Sequence, residues 1–148
     1  KSVGDIDLLI GNTTPQDNSN INPEDYVNTG IEFIDVLPID GYTSEKDQSD
    51  IELAASANFN WALPSDFMRT TKDFWATSSQ HIAVSGDVTP AGKILRVGII
   101  EPDGIRRCIY ATGSFSYPFP LDKTGFYCVY AINDNSEVVN LTGAYVTY

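Results

Sequence analysis

The chain has 148 residues, of which 42% are hydrophobic and 11% aromatic, a composition typical of one folded domain with its own core. Its 9 basic and 20 acidic residues give a formal net charge of −11. A phosphate-binding surface needs clustered lysines and arginines, so this balance disfavours nucleic acid and anionic membranes as partners. No run of apolar residues is long enough to span a bilayer, so we expect no membrane insertion. Solubility explains the acidity, and calcium binding is the alternative that it leaves open.

Residues 1–50 differ from the rest because apolar clusters there are separated by polar, turn-rich sequence. Asn22 followed by Pro23 predicts the start of a short helix, with Asn22 as the N-cap. Residues 31–37 alternate weakly and predict a strand. We expect residues 1–50 to form an acidic N-terminal arm, or outer strands, docked through one or two strands on a core made by residues 51–148.

A clear alternation opens the second part of the chain. Apolar residues take every second position over residues 51–63, and this period of two predicts a half-buried strand. Trp61 is in phase with the inward-facing positions, so we expect it in the core. Proline at position 64 ends the strand.

Shorter strand pieces follow at residues 74–76 and 81–84. Residues 67–72 between these strands and the alternating stretch predict a connection. Gly86 and Asp87 predict a turn.

A hairpin is predicted next, with strands at residues 93–101 and 105–111 joined by a proline- and glycine-containing turn. Residues 114–119 alternate again, with Phe115, Tyr117 and Phe119 on one face. Proline cannot donate a hydrogen bond to a neighbouring strand, so Pro118 places this strand at the edge of a sheet.

The chain is organised around residues 124–133, which are apolar at both odd and even positions and are bracketed by turn formers. A strand exposed on one side does not need two apolar faces, so we predict a central strand that is covered on both sides. Residues 138–148 predict one further strand. The whole pattern predicts an all-β protein, an antiparallel, jelly-roll-like β-sandwich of seven to nine strands.

Residues 74–148 carry several short motifs that resemble those of secreted bacterial β-sandwich modules of the pre-peptidase C-terminal kind. The motifs are Val97 to Gly104, Thr124 to Tyr130, Asn133 to Ser136, and Thr142 to Tyr145. The resemblance implies an extracellular accessory module of the jelly-roll type that is usually non-catalytic.

The two cysteines, Cys108 and Cys128, lie in the returning hairpin strand and in the central strand. If these strands are close, a disulfide is geometrically feasible, and closing its loop would contribute about 3 kcal/mol. The alternative is two buried, reduced thiols that act as small hydrophobic side chains. The composition suggests an oxidising compartment and therefore favours the disulfide.

The aromatic residues give the best lead to a binding site. Phe74 and Trp75 are adjacent, so in a strand they point to opposite sides and one of them faces outward. An exposed Trp75 near Tyr117 or Phe119 would form a stacking platform for a sugar or an apolar partner. The alternative is that the N-terminal arm covers these rings.

The sequence shows no catalytic constellation. His81 is the single histidine, and no nucleophile-elbow pattern surrounds the nearby serines. Two cysteines and one histidine lack zinc-ligand spacing, so we expect no metal site of that kind. Among 20 acidic residues a carboxylate pair for glycoside hydrolysis stays open, but no spacing singles one out.

These observations predict a secreted or cell-surface, non-catalytic β-sandwich module that binds a carbohydrate, protein or matrix partner or has a structural role. Two alternatives stay open: a small extracellular hydrolase with a carboxylate-based site, and a secreted inhibitor or interaction protein that works through the acidic arm. The chain begins with Lys1 rather than methionine, which fits both a cleaved leader and a trimmed product.

Overall fold

The computed structural model describes residues 16–18, 21–35, 42–47 and 56–148, which form two β-sheets with a hydrophobic core between them. The element bounds, in chain order, are β1 Gln16–Asp17, α1 Pro23–Tyr26, β2 Phe33–Ile34, β3 Thr43–Lys46, β4 Ser56–Leu63, β5 Phe67–Thr70, β6 Phe74–Ala76, β7 His81–Thr89, β8 Leu95–Ile100, β9 Arg106–Ala111, β10 Gly113–Pro120, β11 Gly125–Asn133 and β12 Val139–Thr147. This architecture confirms the predicted all-β sandwich. Among the described residues, no helix is both long and apolar enough to cross a membrane.

The first sheet has the strand order β1-β2-β9-β8-β11-β5-β3, and β6 pairs with the beginning of β11. Its pairs are antiparallel except β1–β2 and β3–β5, which are parallel. The second sheet has the order β10-β7-β12-β4 and is antiparallel throughout. Strands from the N-terminal part of the chain therefore extend both ends of the first sheet.

Strand β11 is the central strand that the sequence predicts. It pairs with β8 along one edge and with β6 and then β5 along the other. Its side chains that enter the core between the sheets are Tyr127, Val129 and Ala131. Its side chains that join a second apolar cluster on the opposite face are Tyr130 and Ile132. Both faces are covered, with the exception of Phe126 at the start of the strand, which is exposed.

The alternating stretch also behaves as predicted within its described part. In β4 the side chains of Phe59, Trp61 and Leu63 are buried and the residues between them are exposed. Residues 51–55, the first part of the predicted strand, lie outside the described residues. Pro118 lies in β10, which pairs with β7 alone in the described part of the chain, so the predicted edge position is confirmed.

Two predictions about local structure are wrong. Residues 67–72 were expected to form a connection, but β5 pairs with β11 there. Gly86 and Asp87 were expected to form a turn, but β7 continues through them to Thr89. A Cβ atom on Gly86 would lie 2.6 Å from the carbonyl oxygen of Thr142, so this glycine permits the close approach of β7 and β12 rather than a turn.

The expected disulfide between Cys108 and Cys128 is not present, because both cysteines are buried and free. Cys108 lies on β9 opposite Gly98, and Cys128 lies on β11 opposite Ile100. Strand β8 therefore separates the two thiols. Two strand spacings amount to about 10 Å, beyond the reach of a disulfide. Burial raises the pKa of Cys128 to about 11 and that of Cys108 further, so both stay protonated thiols at neutral pH.

Candidate binding surface

The outer face of the first sheet, the face turned away from the second sheet, carries two exposed aromatic rings. Trp75 is 58% exposed and Phe126 is 57% exposed. They are directly opposite each other in the β6–β11 pairing, and their ring centroids are 5.1 Å apart at an interplanar angle of 80°. We call these two residues the aromatic pair.

The strand alternation of β6 forces Trp75 outward. Phe74 and Ala76 on either side are buried in the core, and Phe74 stacks on Tyr145 of the second sheet with centroids 4.2 Å apart. Successive side chains of a strand point to opposite faces, so Trp75 has no access to the core. Its exposure is therefore a consequence of the way its neighbours anchor the strand.

The backbone beneath the aromatic pair is held from several sides. The backbone N–H of Ser78 donates to the hydroxyl of Thr124 at 2.9 Å. A Cβ atom on Gly125 would lie 2.8 Å from the ring of Pro102, so the hairpin after β8 packs directly against the start of β11. These contacts fix the position of Phe126 and preorganise the pair.

An open pocket of about 420 Å³ lies on the same face of the sheet. It is lined by Ile34, Asp35, Met68, Ile100, Gly104, Ile105 and Arg106. Ile100 is paired with Cys128, which lies two residues from Phe126 on the same face of β11. Ile105 is 40% exposed at the pocket, so apolar surface is available both there and at the aromatic pair.

Among the described residues that line this pocket, Asp35 carries the single carboxylate, and it belongs to a buried ion cluster. One oxygen accepts a hydrogen bond from Arg96 at 2.7 Å, and the other accepts from the hydroxyl of Tyr130 at 2.8 Å. Asn18 donates to Asp35 and also to the hydroxyl of Tyr110. The cluster ties β1 and the end of β2 to the outer face of the first sheet.

Arg96 is the centre of this ion cluster and is 1% exposed. Besides Asp35 it binds both carboxylate oxygens of Asp134 at 2.8 Å, and its guanidinium lies over the ring of Tyr42. Burial lowers the pKa of Arg96, but the hydrogen bonds and charges of Asp134 and Asp35 outweigh this and raise it overall. Burial and the neighbouring Asp35 carboxylate raise the pKa of Tyr130 well above its ordinary value. With these raised pKa values Arg96 stays charged and the Tyr130 phenol stays neutral around neutral pH, which suits a structural role.

A second ionic group lies around Arg107, which bonds to Glu32 and, at 2.9 Å, to Glu101. Lys123 also binds Glu101. The hydroxyl of Tyr117 donates to Glu32 at 2.9 Å. These buried carboxylates are neutralised by cations, and none of them lines the pocket.

The structure does not bring the predicted binding residues Trp75, Tyr117 and Phe119 together. Trp75 is exposed on the first sheet. Phe119 is fully buried in the core, and Tyr117 packs edge-on against it with its hydroxyl on Glu32. The ring that accompanies Trp75 is instead Phe126. The alternation of β11 groups Phe126 with buried residues, so the only signal for its exposure is that it stands at the start of the strand.

His81 shows no catalytic arrangement in the described part of the chain. It is half-buried at the start of β7 and stacks on Tyr148, with ring centroids 5.1 Å apart. Within the described ranges, no three His, Cys, Asp or Glu side chains are grouped so that they could hold a metal ion.

No protein-family model matches this sequence, and a search of curated proteins finds no match. Solved structures of similar fold include PliG of Aeromonas hydrophila, a periplasmic inhibitor of g-type lysozyme. It has 15% sequence identity and a TM-score of 0.52 and covers 72% of this chain and 97% of its own. PliG of Salmonella Typhimurium has 14% identity and a TM-score of 0.47 and covers 72% of this chain and 98% of its own. The pre-peptidase C-terminal domain of a Bacillus anthracis collagenase has 11% identity and a TM-score of 0.47 and covers 72% of this chain and 96% of its own. At such identities the likeness to the Aeromonas protein concerns the fold alone.

Proposed function

We propose that this protein is a secreted or cell-surface, non-catalytic β-sandwich module that binds a protein partner through the aromatic pair and the neighbouring apolar pocket. The observation that carries the proposal is the exposure of Trp75 and Phe126, each more than half accessible to solvent. Aromatic side chains on a fixed backbone are the residues that most often dominate protein interfaces, because they bury a large area at a small entropy cost.

The geometry of the aromatic pair favours a protein partner over a sugar. The two rings stand nearly perpendicular, at 80°, and do not form one flat platform. A sugar ring stacks on a flat aromatic face, whereas a wedge between two perpendicular rings accepts an aliphatic or aromatic side chain. The pocket that contains Ile100 and Ile105 would take a second apolar anchor of the same partner.

The charge of the chain indicates which partners would associate fastest. A net charge of −11 attracts basic proteins and repels acidic ones over roughly the Debye length, about 8 Å at physiological ionic strength. We therefore expect a basic partner whose interface presents apolar side chains. The Aeromonas PliG, a periplasmic inhibitor of g-type lysozyme, is a precedent for protein binding on this fold.

A hydrolytic function is less well supported. The described lining of the pocket holds one carboxylate, Asp35, and this group is bound by Arg96 and Tyr130. Glycoside hydrolysis uses two carboxylates that face the same bond, and one of them must exchange protons. The arrangement around Asp35 does not provide this.

The experiment is affinity capture with the purified protein from extracellular and periplasmic protein fractions, followed by calorimetry with each purified partner. Purified g-type lysozyme is the first defined probe. We expect Trp75→Ala and Phe126→Ala each to weaken binding about 30-fold or more, as truncation of a hot-spot residue does. Both side chains are exposed, so we expect unfolding free energies within about 1 kcal/mol of the wild type.

The matched control is Val138→Ala, which truncates an equally accessible apolar side chain, 52% exposed, away from the pair. It is expected to bind as the wild type does. Capture of the same proteins by the double variant Trp75→Ala/Phe126→Ala and by the wild type would contradict the proposal.

A further inference from the structure

The outer face of the second sheet, the face turned away from the first sheet, is unusual in its chemistry. It consists of the alternate residues of β4, β7, β10 and β12 whose neighbours enter the core. Almost all of them are Ser, Thr, Asn, Ala or Pro, and most are exposed. Asp87 is the one acidic or basic side chain among them besides His81. We call this surface the neutral face.

The lack of charge on the neutral face contrasts with the rest of the chain. Charged residues make up 20% of the sequence, and the net charge is −11. Two copies of so acidic a protein repel each other wherever their carboxylates approach. The neutral face is a surface on which two copies can meet with little repulsion and with few charges to dehydrate, since Asp87 is the one carboxylate among its strand residues.

The side chains of the neutral face are also suited to burial. Short side chains lose little rotamer entropy when they are covered. At one end Pro118 and Val146 flank Ala83 in the same cross-strand row, which gives an apolar strip with Val146 44% exposed. Towards the other end, hydroxyl and amide groups form hydrogen bonds between neighbouring strands. For example, the hydroxyl of Thr142 donates to the amide oxygen of Asn60 at 3.1 Å.

We propose that the neutral face is a self-association surface on which a second copy of this chain packs sheet against sheet. A two-fold axis parallel to the strands, between β7 and β12, brings the apolar strip of one copy onto the strip of the other. In this arrangement Ser85 faces the position of Ala144 in the second copy, because the two residues are neighbours in one row. Aligned packing of two sheets in this way is the ordinary geometry of β-sandwiches.

The size of the face predicts a weak dimer. Four strands and the length of the paired region give about 19 Å by about 27 Å, or roughly 500 Å² on each copy. The total of about 1,000 Å² lies at the lower limit of specific interfaces, so we expect a dissociation constant between about 10 µM and about 1 mM. A neutral polysaccharide is a worse fit, because the middle of the face has no aromatic ring on which a sugar could stack.

The test is sedimentation velocity of the whole chain from low to high concentration, up to about 1 mM. We expect the wild type to dimerise reversibly and Ser85→Glu, with a carboxylate in the middle of the face, to be monomeric. Ser136→Glu is the matched control: it makes the same change at an exposed position in the β11–β12 turn, off the face, and should dimerise as the wild type does. Thermal unfolding of each variant verifies the fold.

A mixing experiment tests the register. Ala144→Lys alone should be monomeric, and an equimolar mixture with Ser85→Glu should form heterodimers because the opposite charges face each other. A wild type that stays monomeric at the highest concentration overturns the proposal, and so does equal dimerisation of Ser85→Glu and Ser136→Glu. If Ser85→Glu leaves self-association unchanged but alters the mobility of the protein in a gel that contains a soluble neutral glucan, the face binds carbohydrate and the proposal is wrong.

Discussion

The outer faces of the two sheets differ in the burial and the charge of their side chains. That of the first sheet is a second core, in which Tyr130 and Cys108 pack with Phe33 from the N-terminal part of the chain. It also contains the ion cluster around Arg96 and Asp35. That of the second sheet, among the described residues of its four strands, carries mostly exposed, short and neutral side chains, with Asp87 as the one carboxylate. The difference shows that a face covered by further chain must satisfy every buried polar group, whereas an open face leaves this to water.

The largest expected difference in unfolding free energy is between removal of the buried carboxylate of Asp35 and removal of the exposed carboxylate of Asp87. We expect Asp35→Ala to lower the free energy of unfolding by about 3–5 kcal/mol, because it takes a fully buried carboxylate away from the Tyr130 hydroxyl and from Arg96, which keeps the partly exposed Asp134 as an ion-pair partner. Asp87→Ala on the neutral face should change it by about 0.5 kcal/mol or less. Urea titration of both variants is the measurement, and similar losses would show that the ion cluster is not a structural centre.

The next largest difference in stability is expected between methyl groups added on the outer face of the first sheet and methyl groups added on the neutral face. A Cβ atom on Gly98, on the outer face of the first sheet, would lie 1.9 Å from the carbonyl oxygen of Arg107 and 2.7 Å from the Cα atom of Cys108. Strand backbone cannot move aside cheaply, so Gly98→Ala should cost about 3 kcal/mol. Ala144→Val adds two methyl groups on the neutral face and should cost about 0.5 kcal/mol or less. Equal chemical-denaturation midpoints for the two variants would be evidence against the close β8–β9 contact.

The smallest effect is a loss of stability in alkali. Burial raises the pKa of Tyr110 to about 12, although the hydrogen bond from Asn18 opposes this, and burial and Asp134 raise that of Tyr42 to about 12. A raised pKa in the folded state means that the folded chain holds its protons longer than the unfolded chain, so stability falls as pH rises from about 10 to about 12. We expect Tyr110→Phe to reduce this loss by on the order of 1–2 kcal/mol.

Tyr148→Phe is the control for the alkaline measurement, because Tyr148 is 60% exposed at the end of the second sheet. Unfolding free energies of both variants and of the wild type between neutral and alkaline pH give the comparison. An identical pH profile for Tyr110→Phe and the wild type would contradict the assignment of the loss to the covered face of the first sheet.

The features that sequence patterns predicted are those encoded locally. Alternation over β4, the turn residues between β8 and β9, and Pro118 in β10 each depend on neighbours within a few positions. The missed strand β5 lacks a clean pattern because Met68 faces the outer cluster while Arg69 contacts Asp47 and Trp61. Such a strand is recognisable only from its partner β11.

One of the two rings of the aromatic pair could be predicted from the sequence, and the other could not. The adjacency of Phe74 and Trp75 predicted that one of the two rings faces outward. Their local sequence could not show that Phe126 would lie beside Trp75, nor that Phe119 would be fully buried. Both outcomes depend on which strands pair and in what register, and register is fixed by contacts between residues far apart in the chain.

The amino-acid sequence by itself determined the all-β class, the doubly covered central strand and the acidity, because hydrophobic period and charge are properties of short stretches and of composition. Only the tertiary structure decided that β8 keeps the two cysteines apart and that Arg96 is buried against Asp35. It also decided that one outer face is a second core, while the described strands of the other carry mostly exposed, neutral side chains. These outcomes follow from strand order, which brings together groups that no local pattern relates.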